Sequence, residues 1–167
     1  VPVAVGEERI IAIPYLIEDC KDLQAIILDD AFQHRNVKAG FNILLTEYSN
    51  LYTQDFFLPT GDLRDEWRSA KRANIIVVTK CPADLTVDKK KKIIQNLHAT
   101  VSQKIFFTTI EYGLPYHITS NEKRSITQDD EILLVCGIAN PKPLKEYLVK
   151  NADTYYQKDY NDHHIFT

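Results

Sequence analysis

Apolar residues along this chain come mostly in short unbroken runs rather than in strict alternation, the pattern of strands covered on both faces. The runs are Val3-Ala4-Val5, Ala25-Ile26-Ile27-Leu28, Phe41-Asn42-Ile43-Leu44-Leu45-Thr46 and the stretches 74–80, 104–109 and 131–138, while 155–160 alternates. Between them, 10–20, 63–73, 84–99 and 141–151 read as helices. Pro14 falls in the first turns of the first one, where a missing N–H costs least, although residues 10–13 would also extend as a strand. In 63–73, Asp65 and Glu66 lead and Arg68, Lys71 and Arg72 close, the charge order a helix macrodipole favours. Arg64 at that start is the exception, because a cation there is unfavourable unless an anion lies close. In 84–99, Asp84 or Thr86 supplies the cap and Ile93, Ile94 and Leu97 the core face. Pro141 suits the first position of the last helix.

This strand and helix order predicts a three-layer α/β architecture with parallel strands joined by crossovers. Residues 1–110 form the main core, 111–130 are turn-rich and polar and connect two lobes, and 131–167 belong to a second, smaller α/β lobe. The stretch 47–60 has no clean period and reads as an irregular loop of functional length.

Composition narrows the class. At 167 residues and 44% hydrophobic content, the chain suffices for one good core, a domain and a half. A net charge of −3 argues against nucleic acid as a partner. Cys20, Cys81 and Cys136 are odd in number, far apart and without Cys-x-x-Cys spacing, which indicates reduced thiols in a cytoplasmic protein rather than disulfides or a zinc site. No apolar run approaches the roughly 20 residues of a spanning helix, so the chain reads as soluble. It opens on Val1-Pro2-Val3, contains no Met and stops at Thr167, and both ends read as cuts.

The stretch that carries chemistry is Asp29-Asp30-Ala31-Phe32-Gln33-His34-Arg35, directly after the run 25–28. Ligands of open α/β sheets bind outside the carboxyl ends of strands, where this acidic pair stands. Two carboxylates suit magnesium, which keeps open positions for substrate phosphates. A helix cap or a solvated turn is the plainer reading of the pair.

The whole string resembles the Asp-Asp-Gly-Phe-Gln-His-Arg signature of the tetraacyldisaccharide 4'-kinase family. Two further segments match in order: Leu58-Pro59-Thr60-Gly61-Asp62-Leu63-Arg64-Asp65 is similar to that family's Leu-Pro-Ala-Gly-Pro-Leu-Arg-Glu, and Asp162-His163-His164 to its Asp-His-His motif. Ala31 departs from the family's Gly, and a positive φ there would strain an alanine. The resemblance covers essentially the whole chain. It implies a partial P-loop-type, mainly parallel sheet and an ATP-dependent lipid kinase acting on an acylated glucosamine disaccharide at the cytoplasmic face of a bacterial inner membrane.

On that resemblance Asp29 and Asp30 serve Mg2+, with Asp30 at the catalytic centre. His163 or His164 is the general base, which suits an imidazole near neutral pH; a turn closing a strand is the alternative. Gln33, His34 and Arg64 position substrate or phosphate. The aromatics of 47–60 either pin that loop to the core or pack on acyl chains. The run Lys89-Lys90-Lys91-Lys92 is either a solvated face or a contact to anionic lipid headgroups. No Gly-x-x-x-x-Gly-Lys-Ser/Thr loop can be written from Gly6, Gly40, Gly61, Gly113 and Gly137, so these 167 residues alone are expected to be inactive. A sheet lacking its first strands exposes an edge, which invites self-association. A non-catalytic α/β binding module is the competing reading.

Overall fold

A computed structural model describes residues 2–138 and 140–160. The chain divides into two compact units, Val1–Ile110 and Glu111–Thr167.

In the first unit, β1 (Ile43–Glu47), β2 (Ile75–Thr79) and β3 (Lys104–Phe107) form a parallel sheet in the order β1-β2-β3. Its register aligns Leu44 with Ile76 and Ile105, and Leu45 with Val77 and Phe106. Period two therefore puts Leu44, Ile76 and Ile105 on one face and Leu45, Val77 and Phe106 on the other. The first face is the core. Ile76 and Val78 are wholly buried, and Leu51, Ala70, Ala73, Ile93 and Leu97 pack with them in one cluster.

Helix α2 (Val87–Asn96) covers this core. Thr86 caps it, its side chain accepting from the Lys89 amide, which satisfies one of the free N–H groups of the first turn. Ile93 and Leu97, one turn apart, are buried; Ile94, about 100° further round the helix, is 42% exposed and is not part of the core face. The helix stops earlier than its apolar pattern suggests, with His98 in the left-handed region at φ 48. Gln103 then ties the α2–β3 turn down: its side-chain amide donates to the Ala70 and Ala73 carbonyls at 2.7 and 2.8 Å.

Three expectations are corrected. The runs 3–5 and 25–28 are not strands, and Val3, Val5 and Ile27 are 85%, 98% and 93% exposed. An apolar run becomes a strand only where a ladder partner satisfies its backbone, and among the described residues neither run has one. β1 is not covered on both faces, since Ile43 and Leu45 lie open. The helix expected over 63–73 shrinks to a 3-10 helix, Trp67–Arg72. Leu63 is held extended instead, because its N–H donates to the Phe56 carbonyl and its carbonyl accepts from the Leu58 amide.

Helix α1 (Arg9–Asp19) forms with Pro14 inside it. In the second unit, β4 (Glu131–Cys136) and β5 (Thr154–Asp159) pair in parallel, and α3 (Lys142–Asn151), preceded by Pro141, links them. Leu134, Cys136 and Leu148 are its core. Cys81 and Cys136 are buried and Cys20 half-buried, and none of the three is in a disulfide.

Candidate active site

The motif 29–35 folds as a turn on itself. Asp30 takes φ 46, a left-handed conformation that Asp tolerates better than most residues. The Gln33 side-chain amide donates to the Asp30 carbonyl at 3.0 Å, and the His34 amide donates to the Ala31 carbonyl at 2.9 Å. Ala31 itself is outside the left-handed region, so the strain its methyl group would meet there does not arise.

A second turn, 55–63, delivers the other half of the site. The Asp55 carboxylate accepts from the amides of Phe56 and Asp62, and Leu63 bridges back to Phe56 and Leu58. The Leu58–Pro59 peptide is cis. Gly61 sits so close to Asp55 and Phe56 that a Cβ would lie 2.7 Å from the Phe56 amide nitrogen and nearer still to its carbonyl oxygen. The following Arg64 reaches Asp30, with Nη2 at 2.6 Å from Oδ1. Arg64 therefore does not stand at a helix start; the anion that compensates it is the Asp30 carboxylate.

Beside that pair lies a tighter network. Asp65 accepts from Arg35 and, at 2.8 Å, from Arg72, and its Oδ1 also accepts from the Glu66 amide. Arg35 donates further to the Ser69 hydroxyl, while Arg72 donates to the Phe32 carbonyl and stacks 4.5 Å from the Phe32 ring. Burial pushes the Asp65 carboxyl up, but the bonds from Arg35, Ser69 and the Glu66 amide together with the Arg35 charge hold it below the usual carboxylate range. The two turns are thus clamped together by residues that the sequence placed in a motif string or in a helix charge order, not in a pairing. Opposite charges in the two motifs were the available signal for Arg35 and Asp65.

Asp29 and Asp30 are exposed. Among the described residues no group of three or more His, Cys, Asp or Glu side chains could hold a metal. An adjacent acidic pair still fits magnesium, which commonly takes one or two carboxylates and completes its shell with water and substrate phosphates. His163 and His164 lie outside the described residues. The loop 47–60 splits in two: Leu51 and Tyr52 are buried, whereas Phe56, Phe57 and Leu58 are exposed. The Tyr52 hydroxyl donates to the Leu97 carbonyl at 2.5 Å, and burial pushes its pKa up to about 12.

A cavity of about 670 Å³ opens beside the Asp65 network, and Arg35, Lys38, Glu66, Arg68 and Arg72 line it. A larger one of about 890 Å³ in the second unit, between 115–126 and β4, contains none of these residues.

The family model described as tetraacyldisaccharide-1-P 4'-kinase matches residues 1–167. The chain belongs to this family. The tetraacyldisaccharide 4'-kinase of Flavobacterium johnsoniae is 46% identical over 169 residues, covering 100% of this chain and 49% of that protein. Its counterpart in Cytophaga hutchinsonii is 40% identical over 168 residues, covering 99% of this chain and 46% of that protein. The chain thus spans about half the length of these curated relatives. No solved structure matches it significantly. As a member of the tetraacyldisaccharide-1-P 4'-kinase family, the chain brings two of the three motif segments into contact through two ion pairs, Asp30 with Arg64 and Arg35 with Asp65.

Proposed function

We propose that the protein carrying this chain transfers the γ-phosphoryl group of ATP to the 4'-hydroxyl of a tetraacylated glucosamine disaccharide 1-phosphate. The observation that carries this reading is the meeting of Asp30 and Arg64, 34 positions apart in sequence, within a chain whose whole length matches the kinase family.

Phosphoryl transfer is mostly positioning and charge stabilisation, so each residue has a limited task. Asp29 and Asp30 would hold Mg2+, which when bound would neutralise charge on the transferring phosphoryl group. The Gln33 bond to the Asp30 carbonyl fixes the turn that presents both carboxylates. Arg64, poised on Asp30, supplies a donor fork for phosphate, and the half-buried Gln33 and His34 of the adjoining turn orient the acceptor sugar. His163 or His164 removes the proton of the acceptor hydroxyl.

An acylated acceptor makes membrane contact peripheral, at the inner face of the cytoplasmic membrane. No helix among the described residues is long and apolar enough to cross it. The exposed Phe56, Phe57 and Leu58, on a turn closed by backbone hydrogen bonds, supply an apolar edge for acyl chains.

The test is a 4'-kinase assay with ATP, magnesium and the tetraacylated disaccharide, using protein from the full reading frame. Asp30→Asn is expected to lower kcat by at least 100-fold, whereas the 167 residues expressed alone, which hold no glycine-rich lysine loop, turn over no substrate. Undiminished turnover by Asp30→Asn would remove the acidic pair from the mechanism, and an inactive folded wild type would favour the binding-module reading.

A further inference from the structure

The charged lining of the cavity beside the Asp65 network is mainly cationic. Arg35, Lys38, Arg68 and Arg72 face it against Glu66, and only Asp65 lies beside them as a further carboxylate, so two positive charges remain uncompensated. Asp65 does not exhaust its arginines. Every hydrogen bond that Arg35 and Arg72 make to Asp65, Ser69 and Phe32 uses Nη2, leaving Nε and Nη1 of both guanidiniums without a partner among the described residues. The same bonds hold the two forks in place, so the cost of immobilising long side chains on binding is already reduced. Arg68 stacks 5.6 Å from the Trp67 ring, a contact a stronger anion can displace.

We infer that this cavity binds a phosphate monoester, through the free edges of Arg35 and Arg72 and the charges of Lys38 and Arg68. Planar guanidinium forks match phosphate oxygens bidentately, and a dianion uses the excess charge fully where a single carboxylate would not. The inference deepens the proposed function and rests on it for one step only: the family's acceptor carries a phosphate at its 1-position, so a sugar phosphate is one source and free phosphate the other.

The decisive experiment is an NMR titration of the chain with glucosamine 1-phosphate and, separately, inorganic phosphate, at ionic strength held constant with chloride. The reporters are the indole of Trp67, the one tryptophan of the sequence, and the amides of 35–39 and 66–72. Saturable shifts confined to these reporters are expected, with Kd raised at least fivefold in Lys38→Gln and unchanged in Lys92→Gln on α2. A Kd at least threefold lower for the sugar phosphate assigns the acceptor as the source; equal affinities assign free phosphate, and both outcomes support the site. Absence of saturation, or a Kd unaltered by Lys38→Gln, overturns it. No turnover is measured, so a failed kinase assay and a failed titration remain distinguishable.

Discussion

At Asp30 one residue combines two demands, a left-handed backbone and a charged side chain facing Arg64. They separate by substitution. Asp30→Asn and Asp30→Ala both remove the charge, but alanine tolerates a positive φ less well, so Asp30→Ala is expected to unfold with about 1 kcal/mol less stability than Asp30→Asn. Urea denaturation of the two variants checks it, and equal midpoints would assign the loss to the ion pair alone. Tyr52 makes a pH prediction. Its pKa is raised from 10 to about 12 by burial, so its contribution is fully present below pH 10 and is lost as pH rises towards 12. Stability should fall by roughly 2 kcal/mol across that window, and Tyr52→Phe should flatten the fall. The strings that hold the acidic pair, Gln33, His34 and Arg64 were legible in the sequence, because they are contiguous. The pairings of Arg64 with Asp30 and of Arg35 with Asp65 were not, since side-chain pairing across 30 or more positions leaves no local trace.

Among the elements, those governed by neighbouring residues matched their pattern. Thr86 caps α2 as its position suggests, and Thr86→Ala should cost about 1 kcal/mol in a denaturation midpoint. The turn 55–63 is a different case. Its closure depends on Gly61 approaching the backbone of Phe56, so Gly61→Ala should destabilise the first unit by roughly 1–3 kcal/mol and disrupt the Arg64–Asp30 pair, visible as altered amide shifts at 29–35. That contact also explains why 63–73 does not run as one helix despite its charge order. Leu63 is committed to bridging Phe56 and Leu58, and a residue bonded in an extended bridge cannot start a helix. A favourable charge order stabilises a helix only where its first residues are free to take helical angles.

For the molecule as a whole, the covered face of the β1-β2-β3 sheet carries the core, while Ile43, Leu45 and Phe106 on the opposite face are 53%, 64% and 49% exposed. Apolar side chains aligned in register across three strands form a contiguous patch, the kind that marks an interaction surface. The 167-residue chain is expected to associate with itself as concentration rises, and Leu45→Lys should return it towards the monomer in sedimentation velocity. A monomer at all concentrations would show that this face is tolerated open.

Local sequence accounts for the α/β class, the parallel order implied by alternating strands and helices, the cap and core face of α2 apart from Ile94, and the strings that place this chain in its family. Each follows from local propensity, from periodicity or from contiguous identity. Three-dimensional packing settles which apolar runs become strands, that Arg64 pairs with Asp30, and that Arg35, Asp65 and Arg72 clamp two distant turns beside a basic cavity. A strand requires a partner and an ion pair requires proximity, and both depend on where the chain returns in space rather than on the residues next to them.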